Sequence, residues 1–120
     1  MSQFLIHIHT GPENPTKAAL GLLVALAAAK GGHGVTLFIA GDGVHLLDAG
    51  KARETTGTGT GNVAAHLADL KELGAQFFLS GMSAKARGYD EGLLTGYDAA
   101  FAMPDKLVAL AGEADTVLCY

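Results

Sequence analysis

A single three-layer α/β domain built on a parallel sheet is the fold class this 120-residue chain predicts, on three observations. Short apolar runs such as Phe4 to His9, Val35 to Ala40 and Gln76 to Leu79 alternate with stretches of helical periodicity, the pattern of strands joined by crossover helices. The runs are apolar almost throughout, as strands buried on both faces are. Gly, Asn and Pro fall at the borders between the two kinds of segment.

Taken in order, Phe4 to His9 reads as the first strand, followed by the turn residues Thr10-Gly11-Pro12-Glu13-Asn14-Pro15. Asn14 suits an N-cap and Pro15 the first helical position, so a helix runs from about Pro15 to Lys30 and stops at Gly31-Gly32. Val35 to Ala40 is the second strand, ended by Gly41-Asp42-Gly43, and Val44 to Ala49 makes a short helix. Lys51 to Gly61, with its Thr-Gly alternation, reads as a mobile loop or lid over the sheet's switch point. Its glycines precede a helix, as in a phosphate loop, but the spacing is wrong and the first strand is not adjacent. Asn62 caps an amphipathic helix with Val63, Leu67, Leu70 and Leu73 on one face, closed by Gly74. Gln76 to Leu79 is the third strand, and Ala84 to Gly88 is a helical turn. Tyr89 to Leu94 makes another turn and Asp98 to Ala102 the fourth strand. A helix from Pro104 to about Gly112 and a fifth strand, Asp115 to Tyr120, complete the chain. Five strands with right-handed crossovers imply a flavodoxin-like sheet of order 2-1-3-4-5, covered on both faces, with its switch point between strands one and three. One domain over residues 1–120 is expected, with no repeat and no linker.

Composition narrows the functional classes. Apolar residues make up 49% and charged residues 17%, enough for a core, and the net charge of -4 without a basic cluster argues against nucleic acid. The longest apolar run, Ala18 to Ala29, falls short of the roughly 20 residues a membrane span needs. Met1-Ser2-Gln3 carries no charge typical of a secretory signal, and the single Cys119 points to a reducing compartment, so a cytoplasmic location is expected.

The expected switch point gathers Thr10, Gly11, Asp42, Gly43, Ser80, Gly81, Ser83 and Arg87 at the carboxyl ends of the strands as a ligand-binding rim. Lys85 and Arg87 could hold an anion there, Arg87 better because its fork is bidentate. A row of Ser80, His9 and Asp42 across adjacent strands would offer nucleophile, base and orienting acid for a small hydrolase, although no Gly-x-Ser-x-Gly elbow surrounds Ser80. His7 and His9 share a strand face but lack a third ligand, and no metal set can be assembled from them or from His33, His45 and His66. Cys119 reads as a buried, inert thiol. No redox cofactor is expected in a chain without Trp and with three Tyr.

Thr-Gly-Pro-Glu-Asn-Pro after the first strand, the Ala-rich helix, Gly-x-x-Val-Thr-Leu-Phe, Gly-Asp-Gly-Val and Ser-Ala-Lys-Ala-Arg-Gly together resemble the DsrE/DsrF-like proteins over nearly the whole chain. The resemblance implies a small α/β domain that assembles as a homo- or hetero-oligomer, often a trimer or hexamer. It also implies a sulfur relay, in which better known members pass a cysteine persulfide to a partner protein. In those members the strand before the Ala-Arg-Gly turn ends in cysteine, and the matching position here is Ser80. Ser83, where relatives can hold a second cysteine, is serine too. A hydroxyl has no thiolate form to accept sulfur. The expectation is therefore a non-catalytic oligomeric member that binds a ligand or partner. The alternatives are a sulfur carrier acting through Cys119 or a partner's cysteine, and the Ser80/His9 hydrolase.

Overall fold

The computed structural model describes all 120 residues, Met1–Tyr120. The chain folds as strand β1 (Gln3–Ile8), helix α1 (Pro15–Lys30), β2 (Gly34–Ile39), a 3-10 turn (Gly41–Leu47), α2 (Ala49–Glu54), and the two-residue strands β3 (Thr56–Gly57) and β4 (Gly61–Asn62). There follow α3 (Val63–Glu72), β5 (Gln76–Ser80), α4 (Gly81–Ala86), a second 3-10 turn (Glu91–Leu94), β6 (Ala99–Ala102), α5 (Pro104–Glu113) and β7 (Thr116–Cys119).

The caps are those the side chains dictate. The Asn14 carboxamide accepts the Lys17 N–H at 3.2 Å and Pro15 opens α1, while Asn62 accepts the Ala65 N–H at 3.1 Å to start α3. Gly74 and Gly88 take positive φ, 81° and 82°, just past α3 and α4.

Five strands form one parallel sheet, as expected, but in the order β6-β5-β2-β1-β7. Numbering β1, β2, β5, β6 and β7 as first to fifth gives 4-3-2-1-5, which corrects the expected 2-1-3-4-5. β2, not β1, is the strand that pairs with β5, with Leu37 opposite Phe77 and Ile39 opposite Leu79. The chain thus steps in one direction from β1 to β6 and reverses only at the end, so the switch point lies between β1 and β7.

That winding sets the layers. Right-handed crossovers in one direction put α1 and α3 on the same face, where Ile6, Ile8, Val35, Leu37, Ile39, Phe77 and Leu79 meet Ala18, Leu22, Leu67 and Leu70 in the main core. The reversed crossover puts α5 on the other face, and α5 buries no residue fully. Lys106 lies over the Phe78 ring and Leu110 flanks Leu5 and Thr36, but Val108 is 71% and Val117 40% exposed. The sheet is covered on both faces, as expected, but unevenly: one helix cannot span five strands.

Lys51 to Gly61 also differs from the expected mobile loop. α2 continues through Glu54, and Thr56 to Asn62 closes as an antiparallel hairpin. The hairpin is pinned to the start of α1, with the Thr58 N–H donating to Thr16 Oγ1 at 3.0 Å and the Thr60 hydroxyl to the Thr16 carbonyl at 3.1 Å. It braces α1 rather than covering a switch point.

Candidate functional site

The carboxyl ends of β1, β2 and β5 form a rim whose centre is the Gly41-Asp42-Gly43 turn, since β2 runs between the other two strands. On one side Gly11 packs against the Asp42 backbone, and Thr10, Gly11 and Gly43 are buried. On the other side the Gly41 N–H donates to Ser83 Oγ at 2.9 Å, and the Ser83 N–H donates to Ser80 Oγ at 3.1 Å. Both hydroxyls therefore accept backbone N–H groups. Ser80 is the N-cap of α4, a role serine fills well.

Arg87 closes this side. Its Nε and one terminal nitrogen each lie 3.0 Å from Asp42 Oδ1, and the other terminal nitrogen donates to the Ser83 carbonyl at 3.1 Å. With Asp42 half exposed, such a pair contributes only about 1 kcal/mol or less, but it fixes the α4 loop to the β2 turn. Arg87 is thus already neutralised by a carboxylate, and only the exposed Lys85 of the two expected anion holders is unpaired.

The rim brings together Asp42, Gly43, Ser80, Gly81, Ser83 and Arg87, with Thr10 and Gly11 behind the turn. It does not assemble the nucleophile row. Because β2 separates β1 from β5, Asp42 stands between Ser80 and His9, the order is nucleophile, acid, base, and the acid is bound to Arg87.

A polar cluster that the sequence did not single out lies beside the rim. The Tyr89 hydroxyl is 2.7 Å from His45 Nδ1, 3.0 Å from Lys51 Nζ and 3.5 Å from Asp48 Oδ2. The bond to Tyr89 raises the Lys51 pKa above its ordinary value, and the Lys51 backbone N–H, with the nearby ammonium, lowers that of Asp48. His45 and Lys51 line a cleft of about 520 Å³ with Glu13, Asp42 and Glu54. No spacing rule links residues 45, 48, 51 and 89; only the fold of the 3-10 turn against α4 and the segment after it does.

Two further expectations change on the sheet face under α5. Cys119, expected to be buried, is exposed, because β7 is an edge strand and the cysteine shares the thinly covered face. His7 lies directly opposite it in the β1–β7 pairing, and the buried His7 Nε2 has no hydrogen-bond partner. The ring packs 5.4 Å from His9 and 5.9 Å from Phe38. Burial, with a smaller contribution from His9, lowers the His7 pKa. The fold favours the neutral ring, so the unfolded chain takes up this proton first as pH falls. The stability involved is complete above the ordinary histidine value of about 6.5 and is lost as pH drops through the folded value. We expect His7→Gln to have a shallower loss of melting temperature than the wild type between about pH 7 and pH 5; parallel slopes would refute this.

The family model for the DsrE/DsrF-like family matches residues 2–120. No curated protein matches the sequence. Among solved structures, the ychN protein from E. coli superposes with a TM-score of 0.75 at 21% identity, covering 100% of both chains. Protein of unknown function MTH1491 from Methanobacterium thermoautotrophicum gives 0.72 at 17% identity, again over 100% of both. Conserved protein of unknown function BT1422 from Bacteroides thetaiotaomicron gives 0.70 at 12% identity, covering 99% of this chain and 95% of that one. At such identities these likenesses speak for the fold, while the family model spans almost every residue: the chain belongs to the DsrE/DsrF-like family.

Proposed function

We propose that this chain is a non-catalytic, oligomeric DsrE/DsrF-like protein that binds a ligand or a relay partner at the Ser80 to Arg87 rim. The observation that carries the reading is the bonding of Ser80. Its hydroxyl holds the Ser83 N–H as the cap of α4, at the position that resemblance assigns to a sulfur-carrying cysteine. A capping oxygen serves structure, and no thiol stands on the rim. Assembly with further copies is supported by large apolar side chains left in water: Met82 at 58% and Met103 at 51% beside the rim, and Val108 and Val117 on the α5 face. No helix is long and apolar enough to cross a membrane, and we place the protein in the cytoplasm, where an unpaired exposed thiol stays reduced. The net charge of -4 disfavours nucleic acid as the partner.

A second reading, a sulfur carrier acting through Cys119, is favoured by the exposure of that thiol and by His7 directly opposite it. One experiment separates the two. Intact mass spectrometry follows treatment with a persulfide donor for the wild type, Cys119→Ser and Ser80→Cys, with native spectra of the same samples. We expect native masses at multiples of 12.2 kDa, a stable sulfur adduct on Ser80→Cys, and none on the wild type. A wild-type adduct that disappears in Cys119→Ser would overturn the non-catalytic reading, and a native mass of one chain would overturn the oligomer.

A further inference from the structure

Helix α1 is apolar on the side that meets water as well as on the side that meets the core. It has no polar residue between Lys17 and Lys30. Ala18, Leu22, Ala25 and Leu26 are buried in the main core, while Leu20, Leu23 and Ala27 form an exposed stripe on the outer side. A helix that is apolar all round belongs in an interior, so this stripe calls for a cover that the single chain does not supply.

The neighbouring helix offers the complementary surface. α3 packs beside α1 on the same face of the sheet, and its exposed residues Ala65, Ala68, Asp69 and Glu72 recur at helical spacing on one side. Small side chains and carboxylates thus stand on α3 where α1 has leucines and lysines. None of Lys17, Lys30, Asp69 and Glu72 forms an ion pair within the chain, and Lys71 of α3 is drawn over the Tyr97 ring at 4.9 Å. The heights match as well. Both helices are crossovers of a parallel sheet and run the same way, with Lys30 four residues before Gly34 of β2 and Glu72 four before Gln76 of β5. Leu23 lies seven residues before Lys30 and Ala65 seven before Glu72, so each pair spans about 10 Å of its helix.

We propose that two copies of this chain pair through the α1–α3 layer, about a two-fold axis parallel to the helices that lays α1 of each copy on α3 of the other. Leu23 then packs on the partner's Ala65, and Lys30 meets the partner's Asp69 and Glu72. Symmetry makes each contact twice. A two-fold axis across the helices would instead stack α1 antiparallel on α1, leucine on leucine, with Lys17 of one copy against Lys30 of the other, and like charges in contact select against it. The pairing rests on the oligomeric reading above and gives it a surface away from the Ser80 rim, which stays open in the pair.

Native mass spectra and sedimentation of the full chain over a dilution series test it. The wild type is expected at an even multiple of 12.2 kDa. Lys30→Glu and Glu72→Lys should each raise the dissociation constant of the pair about tenfold, and the double variant Lys30→Glu/Glu72→Lys should return it to within about threefold of the wild type. Leu23→Glu, and Ala65→Glu on the other helix, are expected to halve the native mass. Both positions are exposed in the single chain, and a carboxylate in the first turn of α3 favours that helix, so an unchanged circular dichroism spectrum shows that the fold is kept. An assembled wild type with full mass in both of these variants, single reversals without effect, or a double reversal that fails to restore would overturn the pairing and leave the oligomeric reading standing. A wild type of one chain would overturn both.

Discussion

Phe77→Ala is expected to destabilise the fold by about 3–5 kcal/mol, the usual cost of emptying a fully buried aromatic position. Phe77 is 0% exposed, sits mid-sheet between Leu37 of β2 and Ala99 of β6, and meets the Tyr97 ring edge-on at 5.4 Å. Rigid strands on both sides prevent the site from collapsing around the lost ring, so cavity and transfer terms add. Since β5 ends in Ser80, the same change should loosen the α4 cap. Urea unfolding measures it: a midpoint shift with an unchanged slope is the expected result, and a loss below about 1 kcal/mol would mean that β5 is not a core strand.

Gly11→Ala acts at the rim itself. A Cβ there would overlap the Asp42 carbonyl, 2.7 Å from its carbon, and the turn that carries it is held by the Gly41 N–H on Ser83 Oγ and by Arg87 on the Asp42 carboxylate. Two backbones that touch cannot both yield, and overpacking of this kind costs about 2–3 kcal/mol, or roughly 10 °C in melting temperature for a chain of this size. Gly112→Ala is the control, because a Cβ there meets nothing within 4 Å in a helix where alanine is preferred. It should melt at or slightly above the wild type. Similar losses in both variants would remove the case for a close loop approach at Gly11.

The sequence made the elements legible where one chemical signal was local. Asn14 and Pro15 marked the start of α1, Asn62 that of α3, and Gly74 and Gly88 the ends of helices, because caps and left-handed turns depend on one or two residues. Strand order was not legible. β1, β2 and β5 are all apolar runs that satisfy any neighbour, and the choice among them is made by pairings across the whole chain. The error had a consequence at the site, since it put His9 next to Ser80 where the fold puts Asp42. The turn that became α2 and the β3–β4 hairpin were hidden by the Thr-Gly alternation, whose rigidity comes from Thr16, some 40 residues earlier by the hydrogen bonds of Thr58 and Thr60. Tyr89 carried no motif at all, because its partners His45 and Lys51 reach it only through tertiary packing.

The pairing of the last strand with the first bears on how this chain is made. During synthesis β1, β2, β5 and β6 emerge in the order in which they lie side by side, so each can add to a growing sheet as it leaves the ribosome. β1, however, keeps one ladder of unpaired backbone groups until β7 arrives at the far end of the chain. Only then does the Asp115 N–H reach the Gln3 carbonyl at 2.9 Å, the Tyr120 N–H the His7 carbonyl at 2.8 Å, and the His9 N–H the Tyr120 carbonyl at 3.0 Å. Until that moment the nascent domain carries an open apolar edge, the kind that pairs with other chains. A chain cut off before Thr116 would hold four of the five strands and yet be most prone to aggregate.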